Sequence, residues 1–136
     1  SELVRGCREI PLTVVASRAA PRGATDALEA AGVDVVVATG ANEPARVRSA
    51  LDQLGSSGIT SILLEGGPRL GGAFFDSGEV DEMRLFIAPV VVGGASARDP
   101  LEGEGIEQIS EANRALSLEC TRVSDDVLLI ARLREW

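Results

Sequence analysis

The sequence predicts an α/β fold on a mixed sheet, parallel in its centre and finished by an antiparallel hairpin at the C-terminal edge. Three observations predict it. Short β-branched runs alternate with amphipathic stretches from Pro11 to about Asp76, the pattern of parallel strands joined by right-handed crossovers. The run Val33–Ala38 is almost unbroken in apolar character, which suits a central strand covered on both faces, and Ile59–Leu64 is again fully apolar at its end. Near the C-terminus two strand-like runs flank the short turn Ser124-Asp125-Asp126, which forces antiparallel pairing.

Taken in order, Pro11–Ser17 is β-branched and bounded by the loop-like Arg18–Gly23, so it reads as a strand. Thr25–Ala31 suits a short helix closed by Gly32. Val33–Ala38 is the second strand. Asn42 caps the next helix with Pro44 in its first turn. Val47, Ala50, Leu51 and Leu54 give that helix one apolar face, and Gly55 is expected to end it. Ile59–Leu64 is the third strand. It runs straight into Glu65-Gly66-Gly67-Pro68 and a helix reaching about Asp76, stopped by Gly78. Met83–Ala88 is a fourth strand, followed by Val90–Gly94 and a polar loop over 95–105. Ala115–Val123 alternates, with Leu116, Leu118 and Cys120 on one face, so Cys120 is expected to be a small buried strand residue. Val127–Leu133 is the last strand. Arg84, Arg132 and Arg134 read as solvent-facing, and Glu102, Glu104 and Glu107 as a solvated loop.

The chain has 136 residues, enough for one domain with a core that needs no disulfide. Its net charge of -8 argues against a nucleic-acid or anionic-membrane surface. No apolar run approaches a membrane helix, and Ser1–Arg5 does not begin a signal peptide, so a soluble cytoplasmic protein is expected. All 13 basic residues are Arg, and His and Tyr are absent as well as Lys. That excludes, within this chain, a Ser-His-Asp triad, a histidine metal ligand, a Schiff-base lysine and a Tyr-Lys dehydrogenase pair. Cys7 and Cys120 are far apart, neither lies in a CxxC, and no metal site is expected.

The chemistry concentrates where the third strand meets its helix. Glycines there let a ligand approach the backbone closely, and the free N–H groups of a first helical turn face an anion. A pyrophosphate is the natural guest beyond the carboxyl ends of parallel strands. The segment is not the GxGxxG fingerprint, and a plain tight turn, with Gly71 and Gly72 easing helix–sheet packing, explains the same glycines.

The run LLEGGPRLGGAFFDSGEVDEMRLFIAPVVVGG resembles the reductase domain of the bifunctional riboflavin biosynthesis deaminase-reductase. The resemblance rests on Glu65-Gly66-Gly67, Leu70, Gly72-Ala73-Phe74, Gly78–Glu82, Ile87-Ala88-Pro89 and Gly93-Gly94 in one register. It extends upstream to Arg8–Val15 and downstream to the C-terminal hairpin. It implies a dihydrofolate-reductase-like three-layer fold. It also implies an NADPH-dependent reduction of the ribosyl group of 5-amino-6-(5-phosphoribosylamino)uracil to ribityl. In that family Gly66 and Gly67 would receive the cofactor's phosphates. Glu65, the candidate catalytic residue, would face the substrate ribose or the nicotinamide; the alternative is a carboxylate stabilised by the helix dipole. Ser17 and Arg18 end the first strand where this fold holds the adenosine 2′-phosphate, unless Arg18 is simply a solvated loop residue. Thr39-Gly40 would reach the adenine ribose, and Leu70 packs on the cofactor or in the core. A homodimer, a phosphorylated amino-pyrimidine substrate and no metal complete the expectation.

The family's first strand, its Ser-Leu-Asp-Gly and Gly-Ala-x-Thr-Val type segments and the deaminase domain find no counterpart in residues 1–136. The expectation is thus a single reductase-type domain incomplete at its N-terminus, with catalysis by these residues alone in doubt. A folate-type reductase on the same fold and a non-catalytic nucleotide-binding or dimerisation module are the rival readings. The Glu before the paired glycines favours the riboflavin-type family over the folate type.

Overall fold

The computed structural model describes residues 1–135, and the chain divides into two compact units, Ser1–Leu63 and the part from Leu64 onward.

The first unit runs α1 (Glu2–Gly6), β1 (Thr13–Ser17), α2 (Arg22–Ala30), β2 (Asp34–Ala38) and α3 (Glu43–Ser56). β1 and β2 pair in parallel from Thr13↔Asp34 to Ser17↔Ala38, so their carboxyl ends lie side by side. α2 and α3 pack on β2. The buried apolar residues are Cys7, Val33, Ala38, Val47 and Ala50, which include two of the four positions on the expected face of α3. Cys7 is tied in by its thiol, which donates to the Ala31 carbonyl at 3.2 Å.

Both longer helices of this unit end in the same way. At α2 the amide of Val33 donates to Leu28 (3.0 Å) and that of Gly32 to Glu29 (2.9 Å). At α3 Ile59 donates to Leu54 (3.1 Å) and Gly58 to Gly55 (2.9 Å). This paired bonding needs a left-handed residue after the C-cap and favours an apolar residue beyond it. Gly58, at φ +89°, followed by Ile59, meets both needs. Gly55, followed by two serines, does not, so α3 passes through Gly55 to Ser56 and is closed by Gly58 instead. The start is as expected, with Asn42 Oδ1 accepting from the Ala45 amide at 2.9 Å and Pro44 in the first turn.

The third strand expected at Ile59–Leu64 is not formed. Apart from the Ile59 bond that closes α3, its backbone groups pair with no strand, and Ile62 (46%) and Leu63 (79%) are exposed. An apolar β-branched run becomes a strand only where a neighbour offers a hydrogen-bonding edge. Without it, the parallel and antiparallel pairings expected in one sheet occupy two sheets.

The second unit holds α4 (Pro68–Ser77), β3 (Glu82–Ile87), a 3₁₀ turn (Ile109–Glu111), β4 (Ser117–Val123) and β5 (Asp126–Arg132). Gly78 closes α4 as expected. The sheet order is β3-β5-β4, antiparallel throughout, with β5 in the centre. Its register lines up Met83, Ala131 and Leu118 in one row and Leu85, Leu129 and Cys120 in the next. One face of the sheet is therefore apolar. Ala131 is buried at its centre, but every residue of β4 is exposed. Cys120 thus lies on the expected face yet is exposed, because β4 is an edge strand. Arg84 pairs with Glu82 at 2.8 Å. Arg134 lies beyond β5 and ties back to Glu79 (3.0 Å) and Asp81 (3.5 Å), so it is not merely a solvated residue.

Candidate functional site

The candidate residues fall into two clusters, one in each unit. In the first, parallel pairing brings the ends of β1 and β2 together. Ser17, Arg18, Ala19, Ala38, Thr39, Gly40, Glu43 and Arg46 line a hollow of about 560 Å³ there. Ser17, Arg18 and Thr39, three residues singled out in the sequence, therefore share one concavity. Ser17 Oγ accepts from the Ala19 amide at 3.3 Å, which turns the chain away from β1 and leaves the hydroxyl proton to donate elsewhere. Thr39 is held from behind: its amide donates to Ser49 Oγ at 3.0 Å, and the two hydroxyls lie 3.2 Å apart. Gln53 braces the same spot through the Val37 carbonyl, 3.1 Å away.

Gly40, at φ +152°, presses the loop against the first turn of α3. A Cβ there would stand 2.7 Å from Ala45 Cβ and 2.8 Å from the Arg46 amide nitrogen. That close approach sets Arg46 on the wall of the hollow. Arg46 and its ion-pair partner Glu43, 3.8 Å away, were not singled out in the sequence. The available signal was positional: a helix following a parallel strand starts over the sheet's carboxyl edge, so its first-turn side chains border whatever binds there.

The second cluster lies at the start of α4. Gly67 is the N-cap, with φ −74° and no side-chain cap. Among the described residues the amides of Gly66 and Gly67 donate no hydrogen bond. A Cβ on Gly67 would meet nothing within 4 Å, whereas one on Gly66 would lie 2.6 Å from Leu70 Cδ2. Leu70 thus packs on Gly66, and its side chain leaves Gly67 open. Glu65 is exposed and makes no side-chain hydrogen bond or ion pair among the described residues.

Gly71 and Gly72, expected to ease helix–sheet packing, instead admit the loop at 101–104. Leu101 lies over Gly71, and the Glu102 carbonyl lies against Gly72. The Glu102 amide donates to Pro68 O at 3.0 Å, and its carboxylate pairs with Arg69 at 3.3 Å. Asp76 Oδ2 accepts from the Glu104 amide at 2.9 Å. Glu102 and Glu104 are therefore anchored to α4, not merely solvated. Among the described residues no group of three His, Cys, Asp or Glu is placed to hold a metal ion.

The model of the RibD C-terminal domain family matches residues 4–129. The chain belongs to this family. It is 41% identical over 99 residues to the riboflavin biosynthesis protein RibD of Actinobacillus pleuropneumoniae, covering 72% of this chain and 26% of that protein. It is 37% identical over 79 residues to a 2,5-diamino-6-ribosylamino-4(3H)-pyrimidinone 5′-phosphate reductase of Methanothermobacter thermautotrophicus, covering 58% and 37%. The chain thus spans well under half the length of these two relatives. Among solved structures, Acinetobacter baumannii RibD superposes with a TM-score of 0.66 at 24% identity, over 96% of this chain and 34% of that one. A pyrimidine reductase-like protein of Corynebacterium diphtheriae gives 0.63 at 24%, over 90% and 50%. These likenesses are of fold, and they are the dihydrofolate-reductase-like fold that the sequence resemblance implied. No helix among the described residues is long and apolar enough to cross a membrane.

Proposed function

We propose that residues 1–136 belong to one reductase-type domain acting in riboflavin biosynthesis, with NADPH as cofactor and a phosphorylated ribosylamino-pyrimidine as substrate. The reaction is reduction of the ribosyl group of 5-amino-6-(5-phosphoribosylamino)uracil to ribityl. The observation that carries the proposal is the pair of uncommitted amides at Gly66 and Gly67, with open space at Gly67 where α4 starts, in a chain of this family. Such amides, with the positive end of the helix dipole behind them, suit a diphosphate.

Each cluster, taken by itself, has groups that suit one part of the cofactor. Gly66 and Gly67 would receive the diphosphate. Ser17 and Arg18 would take the adenosine 2′-phosphate, and Thr39 the adjoining ribose, in a hollow lined by arginine and hydroxyl groups. Leu70, which lies over Gly66, would pack on the cofactor. Hydride donation is the chemistry a reduced nicotinamide supplies when bound. Glu65 is the candidate catalytic residue, its free carboxylate facing the sugar or the carboxamide. The protein is a cytoplasmic homodimer in this reading. The exposed β4 edge of the apolar sheet face, where Leu118 is 65% exposed, supports association of two copies.

The test is calorimetric titration with NADPH, followed by substrate-dependent NADPH oxidation. Saturable binding and turnover that is lost in Glu65→Gln support the proposal. Binding without turnover favours a nucleotide-binding module. Turnover of a dihydropterin instead favours the folate-type alternative, and no binding removes the basis of the reading.

A further inference from the structure

We propose that Arg46 and Glu43, on the first turn of α3, set the preference for a phosphorylated over an unphosphorylated adenosine ribose. This rests on the cofactor reading above and adds two residues to it. The residues lining the hollow at the carboxyl ends of β1 and β2 include two arginines, Arg18 and Arg46, and one carboxylate residue, Glu43. A phosphate monoester carries close to two negative charges at neutral pH, which one arginine only partly neutralises and two can match. Arginine also presents a planar fork of donors suited to phosphate oxygens.

The strand ends bear out the same polarity. Sites that accept a bare ribose commonly place a carboxylate near the end of the second strand, where it accepts from the 2′-hydroxyl, whereas an arginine nearby accommodates a 2′-phosphate. Here β2 ends at Ala38 and is followed by Thr39, whose hydroxyl lies 3.2 Å from Ser49 Oγ. The carboxylate lining this hollow is Glu43, and it is paired with Arg46 at 3.8 Å. In that pairing Glu43 holds the guanidinium at the wall in the absence of ligand. Arg46 is anchored for the purpose: its side chain is only 34% exposed, and Gly40 lies against its backbone. The pair is partly solvated, and such pairs are weak, so a phosphate dianion displaces Glu43 at little cost. Glu43 then acts as a competitor that tempers affinity, and Arg46 as the second cation of the phosphate site.

Calorimetric titration of the full chain with NADP⁺, NAD⁺ and adenosine 2′,5′-bisphosphate tests this, with circular dichroism verifying the fold of each variant. Arg46→Ala is expected to weaken NADP⁺ and the bisphosphate by about tenfold, the loss typical of one charge-assisted contact, and to leave NAD⁺ within about twofold. Arg46→Lys should restore part of the loss. Glu43→Gln should strengthen the two phosphorylated ligands and leave NAD⁺ unchanged, a gain that misfolding cannot produce. An unaltered NADP⁺-to-NAD⁺ ratio in both Arg46→Ala and Glu43→Gln overturns the inference while leaving the cofactor reading intact. Failure of the unsubstituted chain to bind either dinucleotide overturns the cofactor reading and the inference with it.

Discussion

Replacing Gly67 by alanine separates a ligand-facing amide from a merely structural glycine. Gly67 has φ −74°, a conformation alanine adopts freely, and a Cβ there meets nothing within 4 Å. Two small stability terms then oppose each other. Loss of glycine's freedom in the unfolded chain favours the variant by about 0.4–1 kcal/mol. Alanine is a poorer N-cap than glycine, and that costs roughly 0.5–1 kcal/mol. The two nearly cancel, so the melting temperature should move by no more than about 3 °C. Binding is a different matter. A methyl group on Gly67 would occupy the space through which a diphosphate reaches the first-turn amides, so NADPH affinity should fall at least about tenfold, or roughly 1.4 kcal/mol. Differential scanning calorimetry and isothermal titration on the same preparation measure both. An unchanged melting point with affinity within about twofold of the original would refute the assignment of these amides to the cofactor. Gly66→Ala is not a substitute for this experiment. Its Cβ would lie 2.6 Å from Leu70 Cδ2, so stability and binding would fall together.

Gly40→Ala should destabilise the first unit by roughly 1–3 kcal/mol, because the residue sits at φ +152° and its Cβ would meet backbone of α3 at 2.8 Å; urea denaturation measures this. Asp76→Ala removes the acceptor of the Glu104 amide and should raise hydrogen exchange there, with a stability loss of about 1–2 kcal/mol; unchanged exchange would show that the loop is held otherwise. On the proposal that two copies associate, Leu118→Asp should lower the association state seen by analytical ultracentrifugation without altering the circular dichroism, and a monomeric unsubstituted chain would overturn that proposal. An intact dimer would place the contact elsewhere.

Much of the local structure was legible in the residues. The alternation of strand and helix, the Asn42 cap, the closures at Gly32 and Gly78 and the C-terminal hairpin all follow from capping, turn and periodicity rules that act within a few residues. The paired glycines before α4 were legible for the same reason, as was the family likeness that spans them. Less local features were not. Gly55 and Gly58 compete as the end of α3, and the choice depends on bonding that reaches past both to Ile59. Ile59–Leu64 has every residue a strand requires, yet β structure exists only between paired segments, and among the described residues none pairs with it.

By itself, then, the sequence determined most of the element types, the strand expected at Ile59–Leu64 excepted, with the family likeness and the absence of Lys, His and Tyr chemistry, since these depend on composition and short spacings. Tertiary structure alone decided that Ser17, Arg18 and Thr39 share a hollow, through a parallel register joining residues some twenty positions apart. It also decided that Arg46 borders that hollow and that the 101–104 loop is fastened to α4. Such proximities arise because pairing and packing bring distant residues to one surface, and no spacing along the chain encodes that distance directly.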